Sequence, residues 1–372
     1  MFTIAEYLHR KASVQRVPLN GTFELSPVCN FACKMCYVRR TPEQIASSGK
    51  RLYEYREWLE LAKECKKAGC LYLLLTGGEP FIYPHFKELY MELHRMGFVL
   101  SINTNGTLID EHTVEWLKTA APSRINITLY GAGRESYERV CGNAEGFDRV
   151  MKAIHLLEAA GITVVINCSM IPENEQDLEK IMEFAREHNF RLVTNSYIFP
   201  PARREREATD SRFTPEQSAK MYLRTTKFFS EDAQWMDFLK GELNKVSSKE
   251  KESMDANWGA HQEEPMKCRA GRCAFWVSWD GAMTACGMVP FPKVLYPFER
   301  PFIECWQELT QAVRTTPVLK GCAGCPKEEL CRPCVARIQA ETGDVNARAP
   351  YLCEMTDCII ENMKSLLEGQ KE

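Results

Sequence analysis

Seventeen cysteines, and the way they are spaced, constrain this chain of 372 residues more than any other feature. Three of them, Cys29, Cys33 and Cys36, share one short segment, and ten lie beyond residue 266. Residues 1–17 lack the apolar core of an export signal, and no run approaches the ~18 apolar residues of a membrane span. The expected compartment is cytoplasmic, where thiols stay reduced, so a high cysteine count points to metal or cluster ligation rather than disulfides. The competing account makes the cysteines small buried hydrophobes; spacing separates the two. Lys and Arg number 47 against 50 Asp and Glu, a balance that offers no electrostatic footprint for nucleic acid. The length suits two or three domains.

Three times a helix-like segment ends in glycine, at Gly69, Gly97 and Gly161, and runs directly into an apolar strand. Glycine there supplies the left-handed cap that turns the chain back toward a sheet. The expected strands are 21–25, 70–75, 98–102, 124–130, 162–166 and 191–199. Between them lie helical patterns such as 177–188, where Leu178, Ile181, Met182 and Ala185 recur behind an Asn174 cap. Alternation of this kind implies right-handed crossovers and a parallel α/β sheet. Six units fit a three-quarter barrel or an open doubly wound sheet equally well. The division expected is an N-terminal segment (1–19), the α/β part (20–200), a charged helical connector (201–266) and a cysteine-rich part with a C-terminal helix (267–372). In the connector the charge runs at 203–207 and 245–253 read as solvated faces, with a helix from Thr214. The last part reads as loop-rich, with short strands near 275–279 and a stability owed to bound metal.

Cys29, Cys33 and Cys36 form a CxxxCxxC loop directly after the first strand. Three thiolates on one loop can hold three irons of a [4Fe-4S] cluster and leave the fourth iron open. A structural zinc site needs a fourth Cys or His close by, and none follows. Strand two ends in Thr76-Gly77-Gly78-Glu79-Pro80, strand three in Asn103-Thr104-Asn105-Gly106 and strand four in Thr128-Leu129-Tyr130-Gly131. All three lie at C-terminal strand ends, on the side of the cysteine loop, where parallel α/β folds build their sites. Each alone also reads as an ordinary turn or strand end.

This combination resembles the radical S-adenosylmethionine (SAM) enzymes, through CxxxCxxC with Met35 before the third cysteine and Gly-Gly-Glu-Pro after the second strand. The resemblance implies a partial (β/α)6 TIM-like barrel followed by a small domain. It implies that the open iron chelates the amino and carboxylate groups of SAM, with Gly77, Gly78 and Glu79 at the amino end and Met35 against the adenine. Asn103, Asn105 and Thr128 are expected near the ribose and carboxylate, with Asn167 a further candidate and Arg139 or Arg149 as carboxylate partners. The implied chemistry is one-electron cleavage of the sulfonium to a 5'-deoxyadenosyl radical, which takes a hydrogen atom from the substrate.

The spacing of Cys268, Cys273, Gly281, Cys286, Cys322, Cys325, Cys331, Cys334 and Cys353 is too regular for core filler. A zinc ribbon on Cys322, Cys325, Cys331 and Cys334 is one reading. The whole resembles the SPASM extension of radical SAM proteins, which implies two auxiliary [4Fe-4S] clusters and three clusters in all. One would take Cys268, Cys273, Cys286 and Cys334; the other would take Cys322, Cys325, Cys331 and Cys353, with Cys358 as a substitute. The chain departs from that pattern twice: two residues rather than three separate Cys331 from Cys334, and four rather than five separate Cys268 from Cys273. Full ligation implies electron transfer or support. Cys65 reads as core. Cys141 and Cys168 are candidate hydrogen donors at the barrel mouth, and Tyr130, Glu135 and Asp148 are candidate proton acceptors.

SPASM-type relatives are sulfatase-maturing enzymes and maturases of ribosomal peptides. The former usually carry an acidic residue after Ser-Leu at the end of strand four; here the sequence is Thr128-Leu129-Tyr130. The resemblance therefore implies a peptide maturase making an oxidative cross-link, a thioether or an epimerised residue. The 28 residues before Cys29 are too few for a fused leader-binding domain, so a separate leader-binding protein is expected, or recognition by the barrel and connector. Flavodoxin or ferredoxin is the expected reductant; neither nucleic acid nor membrane is an expected partner. The alternatives are a small-molecule, aminosugar-type dehydrogenase and a non-catalytic zinc or iron-sulfur adaptor.

Overall fold

The computed structural model describes residues 3–200, 211–247, 266 and 268–369. Six parallel strands pair in chain order: β1 (Asn20–Glu24), β2 (Tyr72–Thr76), β3 (Val99–Thr104), β4 (Arg124–Thr128), β5 (Val164–Ser169) and β6 (Arg191–Asn195). Each begins within two residues of its expected start. Gly69, Gly97 and Gly161 have φ of 103°, 79° and 69°, the left-handed region in which glycine escapes the Cβ clash.

From β1 to β6 the strand order does not reverse. A doubly wound sheet reverses once and carries helices on both faces, whereas successive right-handed crossovers without reversal put every helix on one face. That settles the open choice in favour of the partial barrel. Side-chain alternation gives the sheet two characters. Phe23, Leu73, Leu75, Ile102, Ile125, Ile127 and Ile166 lie in the main core under helices such as Tyr55–Lys67, which buries Trp58, Leu61, Ala62 and Cys65. Each such aliphatic side chain contributes about 1.5–3 kcal/mol. The opposite, inner face carries Glu24, Thr76, Ser101, Asn103, Asn126, Thr128 and Asn167 in matching register.

Four features differ from expectation. β6 stops at Asn195, because Tyr197 and Phe199 leave the sheet to pack with Ile338, Ala349 and Leu352, and the Tyr197 hydroxyl donates to Glu341 at 2.8 Å. The strand near 275–279 is not local to the cysteine-rich part: β7 (Ala274–Val277) pairs in parallel with β1, and β8 (Met283–Thr284) pairs antiparallel with β7. Asn174 does not cap the helix Leu178–Glu187; it lies in the 3-10 turn Pro172–Asp177. Its amide donates to the carbonyls of Tyr130 and Ser169 at 2.9 and 3.1 Å, tying the ends of β4 and β5 together. The C-terminal part is helical rather than loop-rich, with Phe302–Thr315, Val335–Thr342 and Pro350–Glu368. Phe302, Cys305, Trp306, Leu309 and Val313 form a buried stripe, and Trp306 donates to the Arg16 carbonyl at 2.6 Å.

The connector helix Pro215–Phe228 begins behind Thr214, which makes a capping box with Gln217. Its Ala219 and Leu223 pack with Ile359 and Met363 of the C-terminal helix. The charge run at 203–207 and most of 245–253 lie outside the described residues. Among the described residues no helix is long and apolar enough to cross a membrane.

Candidate functional site

The three-cysteine loop is held by main chain on both sides. Ala32 and Lys34 donate to the carbonyls of Cys141 and Val140, each at 3.0 Å, and Gly78 and Glu79 donate to those of Ser26 and Val28 at 2.7 and 2.9 Å. A Cβ at Gly78 would stand 2.3 Å from the Val28 oxygen, and one at Gly77 would stand 2.5 Å from that of Ser26. The glycine pair is thus required for close approach of the strand-two end to the loop. Glu79 is fully buried. Its carboxylate accepts from Thr104 Oγ1 at 2.8 and 2.9 Å, from Asn105 N at 2.8 Å and from Phe81 N at 3.1 Å. Burial pushes its pKa up to about 7 against those hydrogen bonds. Glu79 therefore locks β2 to β3 behind the loop.

The donor set suits an iron-sulfur cluster. Cys29 and Cys36 sulfurs accept from Phe31 N at 3.4 Å and Arg39 N at 3.2 Å. Burial pushes the Cys29 thiol up to about 12. That of Cys33 is held well above the ordinary range by its hydrogen bond with Cys141 and by burial, while the Tyr130 hydroxyl opposes the rise. Clustered, buried thiols ionise only when a cationic centre compensates them. Asn105 bridges the same loop: its amide lies 3.7 Å from Cys29 Sγ and 2.8 Å from Asn30 Oδ1, and Asn30 donates to Thr107 Oγ1 at 2.8 Å.

The inner face brings the remaining candidates into rows. Asn103 accepts from Asn126 at 2.7 Å, and Thr128 stands beside Asn167 in the β4–β5 register. Met35 packs half-buried at the edge of the core. Cys141 and Tyr130 reach the Cys33 sulfur. Cys168 does not reach the inner face: it shares the parity of Val164 and Ile166, is buried in the main core, and donates to the Met170 sulfur at 3.2 Å. Arg139 is engaged by Ser136 Oγ at 2.8 Å and the Glu173 carbonyl at 3.2 Å. Arg149 pairs with Glu145, Asp148 with Arg134, and exposed Glu135 faces Arg139 at 3.9 Å. Asn174, read from the sequence only as a helix cap, carries no motif that marks this tie between strand ends.

In the C-terminal part Cys322, Cys325, Cys331 and Cys353 line one cavity of about 130 Å³, together with Lys327, Arg348 and Thr356. Burial pushes the Cys268 thiol up, the hydrogen bond from the Ala270 main chain opposes the rise, and the neighbouring Cys334 adds to it. Cys358 packs beside Ala219 and Leu223, on the connector helices. Cys273 lies with Ala12 and Leu19. Among the described residues no three His, Cys, Asp or Glu side chains converge on a single-ion position.

A one-sided parallel sheet with a three-cysteine loop at its C-terminal edge defines a class. Residues 23–185 match the radical SAM superfamily; the chain carries a radical SAM domain there and is an enzyme, and the cysteines behind the domain fit a SPASM extension. A radical SAM domain implies SAM and one [4Fe-4S] cluster. The chain is similar to the AdoMet-dependent heme synthase of Methanosarcina barkeri, 27% identical over 342 residues, 88% of this chain and 94% of that protein. It is 28% identical to AlbA, the antilisterial bacteriocin subtilosin biosynthesis protein of Bacillus subtilis, over 49% of this chain and 40% of that one. SuiB of Streptococcus suis, bound to precursor peptide SuiA, shares the fold with a TM-score of 0.66 at 16% identity, covering 94% of this chain and 80% of that one.

Proposed function

We propose that this enzyme abstracts a hydrogen atom from a peptide and so modifies it, with the cluster on Cys29, Cys33 and Cys36. The observation that carries the reading is the cysteine loop clamped by Gly78 and Glu79 at the mouth of a polar-lined barrel. SAM and the reduced cluster supply a carbon-centred radical when bound. The protein's own residues do the placing. The main-chain clamp fixes the loop, Met35 offers an apolar surface for a base, and Asn103, Asn105, Thr128 and Asn167 offer polar groups for a ribose and a carboxylate. The helix-covered core excludes water from behind the site.

Two auxiliary clusters and the division at 19, 200 and 266 complete the proposal, with Cys322, Cys325, Cys331 and Cys353 around their shared cavity. A flavodoxin or ferredoxin would deliver electrons, and a separate protein would recruit the peptide leader. The relation to AlbA supports a peptide.

A second reading, radical chemistry on a tetrapyrrole side chain, is favoured by the heme synthase, whose similarity extends over 88% of this chain. One experiment separates them. The anaerobically reconstituted enzyme is given SAM and dithionite with either the short peptides encoded beside its gene or an iron coproporphyrin. Substrate-stimulated 5'-deoxyadenosine with a peptide mass change of two hydrogens, or solvent deuterium uptake at constant mass, supports the first. Loss of carboxyl mass from the porphyrin supports the second.

A further inference from the structure

The segment that follows the cysteine loop stands off the body of the protein. The helix Pro42–Ser47 buries none of its residues, and between residues 42 and 50 only Ile45 is even half-covered. Its hydrogen bonds are its own. Thr41 N donates to Gln44 Oε1 at 2.9 Å and Gln44 N to Thr41 Oγ1 at 3.3 Å, while the Ser47 and Ser48 hydroxyls donate to the Gln44 and Ile45 carbonyls at 3.2 and 2.6 Å. Among the described residues, 41–50 share no hydrogen bond with the rest of the chain. A helix capped from both sides of its first turn keeps its shape, and one that buries nothing is cheap to move.

Both ends are anchored on the rim of the barrel mouth. Arg40 N donates to the Pro27 carbonyl at 3.0 Å, and its guanidinium lies 5.9 Å from the ring centre of Trp279, the second residue past β7. At the other end Lys50 lies 5.4 Å from the Tyr296 ring centre. Arg51 forks onto Glu57 at 2.8 and 2.7 Å and covers Tyr53 at 4.2 Å. Exposed cation–π contacts are individually weak, so they hold the ends without fixing the span. Gly49, with φ of 66° and open space where a Cβ would stand, supplies a hinge beside Lys50.

The Arg40 anchor is joined to the Gly78–Glu79 clamp. The carbonyls of Ser26 and Val28 accept from Gly78 and Glu79, and that of Pro27 between them accepts from Arg40. A ligand seated against Gly77, Gly78 and Glu79 therefore bears on the same stretch that carries the helix.

We infer that residues 41–49 are a lid that closes over the barrel mouth when SAM is bound, turning about Arg40 and Gly49 with Ile45 inward. This rests on the radical SAM domain and on the SAM site proposed above. Closure keeps water and stray hydrogen donors from the reacting atoms.

Hydrogen–deuterium exchange read by mass spectrometry tests this on the full chain, reconstituted without oxygen and left unreduced so that SAM is not cleaved. Without SAM the amides of 42–49 should exchange within seconds. Saturating SAM should slow them by at least about tenfold, while the helix Phe86–Arg95 exchanges as before. Thr41→Val removes the cap, an effect of about fivefold. It should raise the SAM concentration for half-maximal protection by that factor and leave 5'-deoxyadenosine formation at saturating SAM within about twofold. Unchanged exchange in wild type that holds SAM by equilibrium dialysis overturns the inference. So does an unshifted midpoint in the variant. A protein that holds no SAM by dialysis defeats the lid together with the site it covers.

Discussion

The two cysteine regions are built in opposite ways. The loop of Cys29, Cys33 and Cys36 is an extension of the sheet, hydrogen-bonded along both sides by Val140, Cys141, Gly78 and Glu79. The cavity of Cys322, Cys325, Cys331 and Cys353 is walled by the 3-10 turn Lys320–Cys322, the four-residue helix Glu328–Cys331 and the first turn of Pro350–Glu368. Two non-glycine residues there, Leu319 and Arg332, hold left-handed φ of 60° and 46°. A loop clamped by a sheet keeps its shape without help; short turns around thiols draw theirs from what the thiols bind.

The largest effects should separate the regions. Cys29→Ala should lower 5'-deoxyadenosine formation by more than about a thousandfold while leaving the melting temperature nearly unchanged. Cys322→Ala should do the reverse, costing about 10 °C in melting temperature while SAM cleavage stays within roughly tenfold. Calorimetry and product analysis on both variants check this, and equal melting losses would erase the contrast. Next comes Gly78→Ala. Its new Cβ meets a backbone oxygen that cannot rotate aside, so the clamp should open at a cost of about 3 kcal/mol. Iron analysis should show about four irons lost, all from the N-terminal cluster.

Much of the first region was legible because its signals are local. Glycine caps, strand composition and the CxxxCxxC loop each occupy a few consecutive residues. The choice of a partial barrel over a doubly wound sheet was not, since it depends on strand order. β7 was misplaced for the same reason: its partner β1 lies some 250 residues upstream, and four residues of a strand carry no address. The helix Phe302–Thr315 had a readable apolar period that the surrounding cysteines obscured. The contact of Cys141 with Cys33 joins a helix end to a loop a hundred residues away and has no sequence signature. Cys168 was misjudged by one residue of parity, which decides between barrel interior and core.

A smaller effect concerns Glu79, whose pKa rises from the ordinary carboxylate range to about 7 on burial. A raised carboxyl pKa means that the folded state binds more protons than the unfolded one. Its contribution is complete below about 4.5 and is lost as the pH climbs through 7, by up to about 3 kcal/mol. Urea unfolding of the iron-free protein should therefore weaken from pH 5 to pH 8, and Glu79→Gln should flatten that slope. A steeper slope in the glutamine variant would contradict the assignment. Glu328, the carboxylate that lines the C-terminal cavity, is only half-buried, so this pH response is expected from the sheet-bound region.

The finest distinction lies in the hydrogen bonds at sulfur. Tyr130 reaches Cys33, and Thr356 stands against Cys331. A donor to a ligand sulfur stabilises the more negative, reduced cluster and so raises its potential. A hydrogen bond worth about 1 kcal/mol corresponds to on the order of 40 mV for a one-electron couple. Tyr130→Phe should then lower the potential of the SAM-binding cluster by about that much and leave the other clusters unmoved, while Thr356→Val should move only a C-terminal one. Redox titrations followed by electron paramagnetic resonance distinguish these signals. If both substitutions shift the same cluster, the two regions are electronically one, and the structural contrast between them has no counterpart in their chemistry.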